Sequence, residues 1–312
     1  MGTQNLKTLR IGRREVKRVI KYGPSYPWRR YVTPTKILNT KAIHTNTSGD
    51  MTVCALTSSK DWLSCLWSLV SFYRFSGLKL PLLVYSDGTL RERHRKQLTS
   101  LFPNARFISS TVGASLVAER LLRYPNCVRF RSLQPYGRKI IDLPILCETK
   151  SMLILDSDVL FFRQPEELVR YLNTDRSQHI VFERDPQDSY FDSRENIKKI
   201  FNVEIASRVN SGIVIADIER FDFARLEEWL GNGLLIQRHP WVEQTLWAMY
   251  AGEGRTILLS KPYDVTESPD VEPGAVVKHY IKPIRDFMYM RGIPYLSRCL
   301  EQVPDGGGYA CV

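Results

Sequence analysis

Ser151-Met-Leu-Ile-Leu-Asp156-Ser157-Asp158-Val-Leu-Phe-Phe162 is an apolar run that stops on two carboxylates one residue apart and then resumes. Four consecutive apolar residues ahead of the acids read as a buried strand of a parallel sheet. The acids then fall where side chains leave the core for the crevice at the carboxyl ends of such strands. Two hard carboxylates on one short turn suit Mg²⁺ or Mn²⁺, and a divalent cation there suits a substrate carrying phosphates. Asp-x-Asp also occurs in plain turns and helix caps, so the spacing alone leaves both readings open.

The flanking sequence supplies the context. Met51–Thr57 reads as a first strand, and Asp61–Phe75 carries apolar residues at helical spacing until Gly77 ends the run. Pro81–Tyr85 is a second strand, Thr89 a plausible cap for the basic helix that precedes Pro103, and Arg106–Ile108 a third strand. Strand–helix alternation of this kind argues for an α/β architecture, a Rossmann-like, mostly parallel central sheet covered by helices on both faces. Residues 111–136 give little signal. Gly137–Glu148 is helical but interrupted by Pro144, and Gln164-Pro165 opens a helix that ends near Asn173. His179–Glu183 reads as a strand, and Arg184–Lys199 as a long loop over the site. Asn210-Ser211-Gly212 precedes a second buried strand, Ile213–Asp217, followed by helices around Phe221–Leu230 and Trp241–Tyr250. Two late strands, Thr256–Leu259 and Ala275–Lys278, lead to His279.

A chain of 312 residues with 43% hydrophobic content can bury a sizeable core in one large domain or two small ones. No run approaches the roughly 20 apolar residues of a membrane span. The start has no apolar signal core, and Leu6 stands where a myristoylation signal wants Ser or Thr, so a soluble, cytoplasmic protein is expected. The six cysteines form no Cys-x-x-Cys pair, which argues against a zinc site and for reduced core residues. The net charge of +11 is uneven: nine basic residues precede Tyr31 against the single acid Glu15. We therefore read residues 1–50 as a basic N-terminal arm, 51–300 as a catalytic domain and 301–312 as a flexible glycine-rich tail. The arm is either a solvated tail or a peripheral dock on an anionic surface: lipid head groups, nucleic acid or an acidic partner.

With these pieces in order, the chain resembles glycosyltransferases of the GT-A fold, most closely the glycogenin-like and galactosyltransferase-like enzymes of family eight. The resemblance covers roughly Met51 to Tyr295. It implies that Asp156 and Asp158 hold a Mn²⁺ or Mg²⁺ ion bridging the diphosphate of a nucleotide sugar, that His279 of Lys278-His279-Tyr280 completes the metal site, and that Asp156 also faces the donor. It implies further that Asn210 and Gly212 line the sugar pocket, that Glu243 and Gln244 lie near the anomeric carbon, and that Lys139 or Arg138 contacts the donor. Thr57 and Ser58, where the first strand opens into its loop, go with the donor as well. After His279 the family often has a glycine and then Lys-Pro-Trp; here Ile281-Lys282-Pro283-Ile284-Arg285 follows, with Lys282 and Arg285 as substitute phosphate contacts. The function implied is a hexosyltransferase-type, metal-dependent transfer from a nucleotide-sugar donor, UDP being the family's common nucleotide, with retention favoured. The acceptor is not legible: glycan, protein, lipid or small molecule.

Two other classes share parts of this pattern. A sugar nucleotidyltransferase has the same sheet and acidic cation site but usually a glycine-rich phosphate loop after the first strand, and Thr57-Ser58-Ser59-Lys60-Asp61 has no glycine. A non-catalytic, basic-armed scaffold associated with nucleic acid or membrane would have no reason to keep the metal set intact.

Overall fold

The computed structural model describes residues 13–302 apart from 175–178, 220, 238 and 253–254. Its strands are β1 (Met51–Thr57), β2 (Leu82–Ser86), β3 (Arg106–Ile108), β4 (Ser151–Leu155), β5 (Val159–Phe161), β6 (Ile180–Arg184), β7 (Val209–Asp217), β8 (Thr256–Leu258) and β9 (Val277–His279). Seven of them form one sheet in the order β3-β2-β1-β4-β7-β6-β8, and β5 pairs with β9 in a separate ribbon. Within the large sheet β1, β2, β3 and β4 run parallel, β7 is antiparallel to β4 and β6, and β8 is parallel to β6. The sheet is therefore mostly parallel, with one reversed strand at its centre.

Both faces of the sheet are covered, which is why its strands are apolar throughout rather than alternating. Val53, Ala55, Leu153 and Leu155 pack into one hydrophobic layer, while Cys54, Met152 and Ile154, one residue out of phase, pack into the other. The first layer is dominated by the Trp62–Ser76 helix, which is buried almost all round and ends on Gly77 in the left-handed conformation at φ 68°. Its buried serines are placed at helical spacing so that they meet the site. The Ser68 hydroxyl donates to the Asp156 carbonyl at 2.9 Å, Ser71 Oγ accepts from the Phe161 amide at 3.1 Å, and Ser64 shares a hydrogen bond with Tyr289 at 2.7 Å.

Several sequence expectations are corrected. The basic helix spans Glu92–Leu101 and is capped by Arg91 and His94, not Thr89, whose hydroxyl donates to Asp87 and accepts from the Ser59 amide. The expected loop 184–199 contains the start of a helix, Arg194–Phe201, opened by Ser193, whose side chain accepts from the Asn196 amide. Asn210-Ser211-Gly212 lies inside β7 rather than ahead of it, at an irregularity in the β6–β7 register between Phe182 and Glu183. Such an irregularity shifts which residue faces which side, so a simple alternation cannot predict it. Cys54, Cys65, Cys127 and Cys147 are free and buried, but Cys299 is disulfide-bonded, against the expectation of six reduced cysteines.

The described part of the arm is helical over Arg13–Tyr22 and packs on the C-terminal segment. Arg18 and Tyr26 both donate to Asp286 at 3.1 Å, and Tyr22 meets Phe287 edge-on with ring centroids 5.4 Å apart. The expected flexible tail lies outside the described residues except for the end of the Ile293–Gln302 helix. Among the described residues no helix is long and apolar enough to cross a membrane.

Candidate metal and donor site

The two aspartates sit where the sequence places them, at the end of β4, and the chain then turns back on itself into β5. The Asp156 amide donates to the Gly212 carbonyl at 2.9 Å, which ties the turn to β7. Antiparallel pairing of β5 with β9 sets Val159 opposite His279, and the Tyr280 amide donates to the Asp158 carbonyl at 2.9 Å. This pairing carries His279 across 121 residues to Asp158. One ligand atom each from Asp156, Asp158 and His279 lies within 4.8 Å of the other two.

The imidazole is oriented by a carboxylate that sequence reasoning missed. Glu183 of β6 is fully buried, and its Oε2 lies 3.0 Å from His279 Nδ1, while Nε2 points to Asp158 Oδ1 at 3.5 Å. A carboxylate behind a histidine fixes the tautomer and leaves the other nitrogen for a metal. The signal was present as a lone acid ending the apolar run Ile180-Val-Phe-Glu183. Gly212 is what allows the approach: a Cβ there would overlap the imidazole and lie 2.6 Å from Glu183 Oε2.

These charges act strongly on one another. Burial pushes the Asp158 carboxyl up, but Arg285 and His279 outweigh it and hold the group down at about 2. Burial lowers His279, yet Glu183 and Asp158 raise it from 6.5 to about 10. Glu183 goes up, burial outweighing the help of His279. The donor set of two carboxylates and an imidazole fits a Mn²⁺ or Mg²⁺ ion by its chemistry and spacing. A cationic side chain stands on each of the two aspartates. Lys139 Nζ lies 2.8 Å from Asp156 Oδ1, and the Arg285 guanidinium contacts Asp158 Oδ2. Arg285 is held in place by donation to the Tyr280 carbonyl at 3.0 Å and by Asp61 at 4.0 Å.

A second buried cluster adjoins the first through Lys139. This side chain, on the short Gly137–Ile140 helix, also reaches Ser211 Oγ at 3.3 Å and Glu243 Oε1 at 3.8 Å. Burial alone would discharge the lysine, but Asp156 and Glu243 raise its pKa. Ser211 donates to Glu243 Oε2 at 2.8 Å, and Gln244 accepts from the Ser211 amide at 3.3 Å. Asn210 faces away from this cluster: its amide donates to Asp185, another acid that was missed, at 2.7 Å, and its carbonyl accepts from the Gly212 amide at 2.9 Å.

The remaining expected residues are less closely placed. Thr57 is buried at the end of β1, and the Ser58 hydroxyl is committed to its own turn by donation to Asp61 at 2.8 Å. Arg138 donates to the Asp87 carbonyl at 2.5 Å instead of joining the carboxylates. Lys282 is exposed and makes none of the site contacts among the described residues, so of the two expected phosphate contacts only Arg285 stands at the metal set.

Order of strands, the acidic turn after β4 and the returning histidine together define a GT-A fold. Solved structures agree. The chain superposes on mouse xyloside xylosyltransferase 1 with a TM-score of 0.52 at 14% identity, covering 74% of this chain and 98% of that one. It superposes on the galactosyltransferase LgtC, solved with donor and acceptor sugar analogues, with a TM-score of 0.56 at 14% identity, covering 82% and 98% respectively. No protein-family model and no curated protein matches the sequence itself.

Proposed function

We propose that this chain is a metal-dependent glycosyltransferase that moves a hexosyl group from a nucleotide sugar, UDP-linked, to an acceptor hydroxyl with retention. The observation that carries the reading is the convergence of Asp156, Asp158 and His279 within 4.8 Å, with Glu183 behind the imidazole and Lys139 beside it. Likeness in fold to solved sugar transferases supports it.

Asp156, Asp158 and His279 would hold a divalent cation, which would supply Lewis-acid neutralisation of the diphosphate. The chain's own residues do the rest. As the bond between the anomeric carbon and the diphosphate oxygen breaks, negative charge grows on the leaving group. Lys139, buried, and Arg285, partly exposed, are the positive charges placed to stabilise it. Arg285, whose guanidinium contacts Asp158 Oδ2, is the residue that would exchange that carboxylate for a diphosphate oxygen. The buried Glu243 carboxylate, accepting from Ser211 and flanked by Lys139, lies under the sugar and stabilises positive charge at the anomeric carbon. Gln244, anchored by donation to the Ser189 carbonyl at 3.0 Å, fixes that wall of the pocket. Asn210 acts by shaping the backbone around Gly212 rather than by touching the sugar. Residues 51–300 constitute the catalytic unit, and residues 1–50 an extension clasped to its C-terminal segment.

Hydrolysis and binding of a panel of UDP-, GDP- and CMP-sugars in Mn²⁺ test the reading. Turnover or binding of a UDP-sugar that chelator abolishes is expected. Indifference to every nucleotide sugar, or full turnover in chelator, would overturn it.

A further inference from the structure

Away from the metal set, a cavity of about 660 Å³ opens between the arm, the end of β5, the 270–275 loop and the C-terminal helix. Its wall carries Arg29, Arg163, Arg291 and Arg298, from three separate stretches of chain, around the aromatic pair Phe162 and Tyr295. The ring centroids of that pair lie 5.7 Å apart.

The local charges do not balance. Asp270 is taken by Arg291, and Glu272 by Lys278 at 3.0 Å and by the Thr266 hydroxyl at 2.5 Å. Arg29 donates to the Met290 carbonyl, which is neutral. Among the described residues, Arg163 and Arg298 have no hydrogen-bond or ion-pair partner. Among the described residues, three guanidinium groups therefore line one concavity without a carboxylate to answer them. Like charges gathered in this way repel, and a bound anion relieves the repulsion. Guanidinium forks match the oxygens of phosphate and carboxylate alike, but a phosphate monoester brings about −1.5 to −2 of charge where a carboxylate brings one, and so suits three arginines better.

We propose that this cavity is a binding site for a phosphate monoester, with Arg163 and Arg298 as its principal contacts and Arg29 as the third. The site is separate from the metal set: none of Asp156, Asp158 and His279 lines the cavity. The inference does not depend on the glycosyltransferase reading. The phosphate can belong to a soluble sugar phosphate or to a lipid head group. Trp28 and Tyr31, on the same segment as Arg29, are 65% and 48% exposed.

The test uses the full chain without nucleotide. Glucose 6-phosphate is titrated with glucose as the neutral control, and vesicles of phosphatidylcholine are compared with vesicles that also contain phosphatidic acid. Saturable binding of glucose 6-phosphate, or retention on the phosphatidic acid vesicles alone, supports the site and tells the two sources apart. The double variant Arg163→Ala/Arg298→Ala should weaken that binding at least tenfold. Its melting temperature and its Mn²⁺-dependent nucleotide binding should be unchanged, since neither side chain has a partner to lose among the described residues. Should the double substitution lower the melting temperature, Arg163→Gln/Arg298→Gln, which keeps polar bulk, must still lose the phosphate. Failure of both phosphate probes to bind, or equal binding by the substituted and unsubstituted proteins, overturns the proposal.

Discussion

Arg285 makes an unusual prediction, because it affects cation and nucleotide in opposite directions. Its guanidinium contacts Asp158 Oδ2, so a divalent cation held by that carboxylate would compete with it. A hydrogen bond between charged partners contributes about 1.5–3 kcal/mol. The Arg285 side chain is 38% exposed, however, and solvent screening brings the competition down to about 1–1.5 kcal/mol. Arg285→Gln should therefore bind Mn²⁺ alone about 5- to 12-fold more tightly than wild type. The same substitution removes a positive charge meant for the diphosphate, so UDP binding at saturating Mn²⁺ should weaken by a similar or larger factor. Electron paramagnetic resonance of free Mn²⁺ gives the first quantity and calorimetry with UDP the second. Unchanged or weaker Mn²⁺ binding would refute the competition, and unimpaired UDP binding would refute the transfer of Arg285 to the phosphate.

Three further outcomes follow from the geometry. Gly212→Ala puts a methyl group onto the His279 ring and beside Glu183, and should cost about 1–3 kcal/mol of overpacking and abolish tight Mn²⁺ binding; a variant with normal metal affinity would show that His279 is not a ligand. Because Glu183 and Asp158 outweigh burial and raise His279 from 6.5 to about 10, its contribution to stability is complete below pH 6.5 and is lost as pH rises toward 10. Thermal melts in chelator should fall across that window, Mn²⁺ should reverse the fall, and Mn²⁺ binding near pH 7.5 should release a proton measurable by calorimetry in buffers of different ionisation enthalpy. Asp142→Asn tests specificity. This fully buried acid takes Arg131 through both oxygens at 2.7 Å and Tyr85 at 2.7 Å, so the variant should lose about 3–5 kcal/mol of stability by urea unfolding while Mn²⁺ affinity stays at the wild-type value.

How far the fold could be read from sequence varied with the kind of information each element carries. β1 and β3 fall on the expected residues because an apolar run bounded by turn residues is local information. Asp156 and Asp158 were legible for the same reason: the acids interrupt such a run. Glu183 was not singled out, although an acid at the end of an apolar strand is visible; its value depends on His279, 96 residues away, and only the sheet brings them together. The placement of Asn210-Ser211-Gly212 inside β7 depends on an irregular register with β6, which no single strand encodes. Lys282 and Arg285 looked interchangeable in sequence. The turn over Lys282–Ile284 separates them, turning one to solvent and the other to Asp158. The Arg194–Phe201 helix had its cap in Ser193, but a charged, short amphipathic segment resembles a loop until its buried Ile197 is seen.

Calorimetric titration of UDP into wild type and into Asp158→Asn, each with and without Mn²⁺, tests the central claim most directly. The account predicts that wild type binds UDP only when Mn²⁺ is present and that the variant, folded by circular dichroism, binds it in neither condition. Mn²⁺-dependent binding of UDP by Asp158→Asn at the wild-type affinity would contradict it.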